Sequence, residues 1–261
     1  MSNYNHIKSN DEVLKDILLR IENKIPTSLV RKGDGENIII GFGISKGIKF
    51  LKYLKKLRHF NISYYNYSFQ NFFKSELIDS YINSDFLGVP SKEFYLGYTS
   101  SVRKYDFEIS QYYGLDKNKD LIDSHFHLEF VKNPKNNDLQ NSLAQKILAN
   151  KKVGIISHFN VKPFLQKHNS NVIKQFSIPK RDAGMFNKMN LKKFNKIKDQ
   201  ILKNNDEIDL WFVAAGAYAK PFCNYIKKTG SIGIDIGSSI DTWLGEYDSR
   251  KYLRSLKIEK G

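Results

Sequence analysis

Cysteine is nearly absent from this chain of 261 residues: Cys223 is the only one. That excludes a disulfide scaffold and suits a reducing compartment. Long apolar runs are missing too. The stretches around Ile38–Ile44 and Trp211–Ala219 fall far short of the roughly 20 residues a membrane-spanning helix needs. The start, Met1-Ser2-Asn3-Tyr4-Asn5-His6, is polar with no apolar core of a secretory signal, so a cytoplasmic location is expected. Sixteen glycines without a repeat exclude a collagen-like chain, and no Pro/Gly/Ser-rich linker or low-complexity tract divides the sequence. Acid is scarce: 27 Asp and Glu face 42 Lys and Arg, a net charge of +15. Arginine is scarce within that excess, 7 residues against 35 lysines. Nucleic-acid readers favour the bidentate guanidinium, so the charge is discounted as evidence for nucleic acid and signals attraction to anions, whether phosphorylated ligands, anionic lipid or RNA, with a basic nucleic-acid-binding protein as an alternative reading.

What is present describes a folded protein. The chain is 41% hydrophobic and 13% aromatic, which excludes intrinsic disorder. At about 150 residues per domain the length allows one large domain or two small ones. One domain over residues 1–261 is expected. Helical spacing marks Asp11–Ile25, Ser45–Phe60, Phe69–Ile82, Ser100–Tyr113, Asp138–Ala149, Leu191–Leu202 and Ala219–Lys228. Short apolar runs mark strands at Ser28–Arg31, Asn37–Phe42, Asp85–Val89, Lys152–Ser157, Val172–Ile178, Asp209–Ala214 and Ser231–Ile236. The alternation predicts an α/β, Rossmann-like fold, with a mostly parallel sheet flanked by helices. Ligands of such sheets sit beyond the carboxyl ends of strands, which directs attention to the residues just after each one.

Asp34-Gly35-Glu36 is the sharpest candidate there. Two carboxylates at i and i+2 on extended or turn backbone can face one side and share Mn²⁺ or Mg²⁺, which in turn bridges diphosphate oxygens. A solvated hairpin turn is the alternative. A second D-x-E, Asp106 and Glu108, lies in a predicted helix, where the two positions diverge by about 200°. Gly41-Phe42-Gly43-Ile44-Ser45-Lys46-Gly47 has the look of a dinucleotide or S-adenosylmethionine loop, but its spacing departs from the usual fingerprint. No acid follows until Glu76 to serve as ribose partner. A tight strand–helix connection is the other reading. Near the end, the small-residue loop at Gly216 precedes a helix carrying Lys220 and offers free N–H groups and a cation to phosphate. Asp235 sits in an otherwise apolar strand and needs a partner or a task. His125 and His127 would share a strand face without a third metal ligand near them. Two helices are basic on one side, through Lys46–Arg58 and through Lys192–Lys203. Such faces either rest on anionic membrane or are simply solvated.

Taken in order, Ser28-Leu29-Val30-Arg31-Lys32-Gly33-Asp34-Gly35-Glu36, Asp85-Phe86-Leu87-Gly88-Val89-Pro90, and the block Ala215-Gly216…Lys220…Lys227…Gly230…Asp235-Ile236-Gly237…Asp241-Thr242-Trp243 resemble the GT-D-fold glycosyltransferases, formerly a domain of unknown function. The resemblance spans about residues 12–250. It implies metal-dependent transfer of a sugar from a nucleotide-diphosphate donor, usually UDP-linked, to a glycan, glycolipid or glycoprotein acceptor. On this resemblance Asp34 and Glu36 hold Mn²⁺ or Mg²⁺, and Arg31, Gly33, Gly216, Lys220 and Gly237 contact the donor. Asp235 and Asp241 are the candidates for general base. Lys32 stands where the family more often has a bulky apolar or aromatic residue. A lipid-linked acceptor would bring the basic helices to the inner face of a membrane.

Overall fold

The structure is a computed structural model that describes residues 6–90, 100–135, 138–179, 188–204, 207–249 and 253–254; the side chains of Asp34 and of residues 100–104 lie outside that description. The first helix, α1 (Asn10–Glu22), starts on a reciprocal cap: Ser9 Oγ accepts from the Glu12 N–H and the Ser9 N–H donates to the Glu12 carboxylate. Val13, Leu14, Ile17 and Ile21 form its buried stripe, as their spacing predicts.

Eight strands follow in one sheet: β1 (Ile7–Lys8), β2 (Thr27–Arg31), β3 (Phe86–Val89), β4 (Asp120–Asp123), β5 (Lys152–Ile156), β6 (Asn171–Phe176), β7 (Leu210–Val213) and β8 (Ile232–Asp235). Their order is β1-β4-β3-β2-β8-β7-β5-β6, and every pairing is parallel. The last strand thus lies between the two halves of the sheet, pairing β2 on one side and β7 on the other. Because the sheet is covered on both faces, its strands read as continuous apolar runs. Alternate residues serve opposite layers. Val30, Leu87, Ile156, Trp211 and Val213 pack beneath α2 (Asp34–Gly41), α3 (Phe50–His59), α4 (Tyr67–Ile82), α5 (Ser100–Tyr113), α8 (Leu191–Leu202) and α9 (Ala219–Lys228). Leu29, Phe86, Ile155, Phe212 and Ile234 pack against α1, α6 (Ser142–Leu148), α7 (Lys162–Lys167) and α10 (Ser239–Trp243).

Several expectations are corrected. Residues 37–42 are not a strand: 37–41 belong to helix α2 and Phe42 is its C-cap. Three consecutive β-branched residues favour a strand, but Ile38, Ile39 and Ile40 are all buried, and a helix enclosed on every side needs no polar face. The Gly41–Gly47 loop therefore joins two helices instead of leaving a strand, which removes the dinucleotide reading. Two of its glycines serve packing, since an added Cβ would fall 2.4 Å from Ile109 Cδ1 at Gly41 and 2.4 Å from the Tyr105 ring at Gly47, while Gly43, at φ +87°, serves the turn. The helices expected at Ser45–Phe60 and Asp138–Ala149 shorten to α3 and α6. His125 and His127 share no strand face, because His127 belongs to a 3₁₀ turn, Phe126–Phe130, and His125 precedes it.

Candidate functional site

The connection after β5 runs outward to β6, whereas that after β7 runs the other way to β8. Strand order reverses between them, the place where α/β sheets open a crevice. A cleft of about 640 Å³ lies there and extends along the carboxyl edge to β2. Its volume suits a nucleotide-sized ligand. Arg31, Gly33, Glu36, Gly216, Lys220, Gly237 and Asp241 all line it, so the sheet gathers both ends of the sequence into one wall.

Beneath the cleft runs a line of alternating charges. Arg31, the last residue of β2, donates from Nη1 to His127 Nδ1 (2.7 Å) and to the Ser124 carbonyl (3.1 Å), and from Nη2 to Asp235 Oδ1 (3.2 Å). Asp235, the last residue of β8, meets Lys220 through Oδ2 at 3.1 Å, and Lys220 reaches Glu36 Oε1 at 2.7 Å. Burial alone would raise the Asp235 carboxyl, but Arg31 and Lys220 hold it below the ordinary carboxylate range. Burial alone would lower Lys220, yet Asp235 and Glu36 raise its pKa above the usual value. Both groups are therefore charged near neutrality. Burial, and then the Arg31 charge, push His127 well below the ordinary imidazole value, so it is neutral and accepts from Arg31.

This arrangement bears on the role of base expected of Asp235. Asp235 is 1% exposed and pinned between two cations, which stabilises its charge and lowers its basicity. It positions Arg31 and Lys220 and is poorly placed to take a proton from an acceptor. Gly237 is required on two counts: its φ is +49°, and a Cβ there would fall 2.2 Å from Arg31 Nη2. Gly216, with φ +57°, turns the chain so that its carbonyl accepts from Lys220 Nζ at 3.1 Å.

Asp34, Gly35 and Glu36 form the opening turn of α2 behind the N-cap Gly33, not the extended segment or hairpin expected. The first N–H groups of a helix have no partner within it and carry its positive dipole end, and Gly33 and Gly35 present that end to the cleft. Glu36 folds back over it, since a Cβ on Gly33 would lie 2.4 Å from Glu36 Oε2. One Glu36 oxygen is thus held by Lys220 and the other rests over Gly33. Among the described residues no group of three or more His, Cys, Asp or Glu is arranged to hold a metal. The expected partner carboxylate, on Asp34, lies outside the described side chains.

The sequence draws attention to some neighbours of the cleft without gathering them into one site. His59, His125, His127 and His158, four of six histidines, border it, which makes imidazoles the commonest titratable side chains around the ligand space. Lys32 is fully buried, donating to Ser110 Oγ at 2.6 Å and pairing with Asp106 (3.2 Å) and Asp116 (3.3 Å). A cation with two carboxylates fills the position where an apolar residue was the commoner expectation. Asp106, from the second D-x-E, turns inward to that pair, while Glu108 accepts from Ser45 Oγ, so the two do not chelate.

A family model described as a GT-D fold-like domain matches residues 8–243. No curated protein sequence matches the chain. Among solved structures, a glycosyltransferase of the domain-of-unknown-function-1792 class from Streptococcus sanguinis superimposes with a TM-score of 0.57 at 16% identity, covering 92% of this chain and 84% of that one. A structure of domain of unknown function 1792, described as having a distinct glycosyltransferase fold, gives a TM-score of 0.54 at 17% identity, covering 93% of this chain and 80% of that one. At such identity these likenesses establish a shared fold.

Proposed function

The chain belongs to the GT-D-like family, and from that premise we propose that it is a glycosyltransferase whose nucleotide-diphosphate sugar donor, UDP-linked, binds in the cleft beyond β2, β5, β7 and β8. The observation that carries this reading is the convergence of a helix N-terminus, the buried Lys220 and the partly buried Arg31 on one nucleotide-sized cleft. The N–H groups opening α2 suit the diphosphate, and Arg31 and Lys220 supply positive potential behind it. Because both cations are already fixed by Asp235, little reorganisation is needed as charge develops on the leaving nucleotide diphosphate.

On this reading Glu36, together with Asp34, would hold Mn²⁺ or Mg²⁺. One or two carboxylates plus substrate phosphates are a usual donor set for such ions, though Lys220 already engages one Glu36 oxygen. When bound, the ion would neutralise phosphate charge. The acceptor is a glycan, glycolipid or glycoprotein hydroxyl. Asp241, in the first turn of α10 and bordering the cleft, is the carboxylate assigned on this reading to accept its proton.

A thermal-shift panel of UDP, GDP, CMP and their sugars, with and without Mn²⁺, tests the reading. Ligand at 100 times Kd adds about 2.7 kcal/mol, a shift of several degrees for a chain of this size. A UDP-sugar should raise Tm in wild type with Mn²⁺ and fail to do so in Asp34→Ala/Glu36→Ala. No shift with any nucleotide sugar would overturn the donor assignment, and an equal shift in the variant would overturn the metal ligands.

A further inference from the structure

The segment after α2 carries the feature that the cleft does not use. From Asn37 to Ser75 the sequence has seven Lys or Arg and no acid. Within it, Phe50 and Leu51 are 57% and 78% exposed at the start of α3. Exposed basic residues surround them: Lys46 and Lys49 before, and Lys55 and Arg58 after. Leu51, Lys55 and Arg58 follow at i, i+4 and i+7, so one outer stripe of the helix carries an apolar head and a cationic body. Leu57, on the opposite side, is buried in the core and fixes this orientation. Single exposed apolar residues are ordinary. Two adjacent large ones, ringed by cations in an acid-free stretch, are the composition of a helix lying in a lipid interface.

We propose that residues 46–58 form a docking face for an anionic lipid bilayer, Phe50 and Leu51 entering the headgroup layer while the surrounding cations meet lipid phosphates. The other basic helix does not share these properties. Helix α8 carries Asp199 among its lysines, and its exposed leucines, Leu191 (37%) and Leu202 (42%), stand at opposite ends. The far end of α3 reaches the cleft through Lys56, His59 and Phe60, so docking sets the cleft mouth beside the bilayer. The face stands independently of what the cleft transfers.

Vesicle co-sedimentation of the full chain tests it, with vesicles of equal parts phosphatidylglycerol and phosphatidylcholine against phosphatidylcholine alone. Wild type should sediment with the anionic vesicles only. Lys49→Gln/Lys55→Gln/Arg58→Gln should weaken binding roughly a hundredfold, at about fivefold per cation, and Phe50→Ser/Leu51→Ser should weaken it about tenfold or more. Lys192→Gln/Lys196→Gln/Lys203→Gln, which removes equal charge from α8, should bind as wild type does. All substituted side chains are exposed, and unchanged circular dichroism and Tm certify each fold. Equal weakening by the two charge variants would reduce the effect to net charge and overturn the face. Wild-type-like binding of the serine variant, absence of binding to anionic vesicles, or binding to RNA in place of vesicles would overturn it as well.

Discussion

His127 is a side chain whose environment dictates a measurable pH dependence. It is 3% exposed and takes a hydrogen bond from Arg31, which requires the neutral ring. Its pKa in the folded chain is depressed well below the ordinary 6.5, so below about pH 6.5 the unfolded chain binds a proton that the folded chain refuses. Stability must then rise with pH in that range and fall as pH drops beneath it, by up to about 1.4 kcal/mol per pH unit. Urea titrations at about pH 7.5 and about pH 5.5 check this against His127→Gln, whose amide oxygen can still accept from Arg31. His168, lowered chiefly by burial, contributes with the same sign in both proteins and cancels in the difference. The same pH slope in variant and wild type would show that His127 does not carry the effect. The residues of the candidate site were legible to an unequal degree. Lys220, Gly237 and Asp241 could be found because they come soon after strands, and Arg31, which ends its strand, only through the family resemblance. The pairing of Asp235 with two cations could not, since it links positions 204 and 15 residues apart across three elements.

At the level of elements, periodicity worked where one side of a segment is buried. Helices α5 and α8 have the bounds their spacing predicts, while α9, buried throughout residues 219–226, is bounded in the sequence by the glycines at 216 and 230 that flank it. Periodicity failed at α2, where burial on all sides erases the period, and at β4, whose four residues Asp120-Leu121-Ile122-Asp123 end in acid at both sides. Burial is also what gives a strand glycine its importance. Gly154, in β5, leaves room for the indole of Trp211 on β7: a Cβ there would lie 2.2 Å from Trp211 Cδ2. Gly154→Ala should therefore destabilise the chain by about 1–3 kcal/mol through overpacking, despite the better strand propensity of alanine. Urea unfolding together with near-ultraviolet circular dichroism of the indole reads both consequences. An unchanged midpoint and spectrum would mean that Trp211 has space to move aside.

For the molecule as a whole, the two tryptophans give a probe on each face of the sheet. Trp211 packs in the layer of α4 and α9, Trp243 in that of α1 and α6. Both layers rest on the same strands, so within each single-tryptophan protein, Trp243→Phe or Trp211→Phe, indole fluorescence and far-ultraviolet circular dichroism should give one denaturant midpoint. Separate midpoints would divide the chain into two cooperative units. The order of the strands has a further consequence, for synthesis. While the chain grows on a ribosome, residues 7–123 can pair as one half-sheet and residues 152–213 as another, but no strand pairing joins the halves until residues 232–235 emerge. Until then Arg31 and Lys220 lack the carboxylate of Asp235 that balances them. A nascent chain stalled before that point carries two unjoined sheet edges, the kind of surface that chaperones shield.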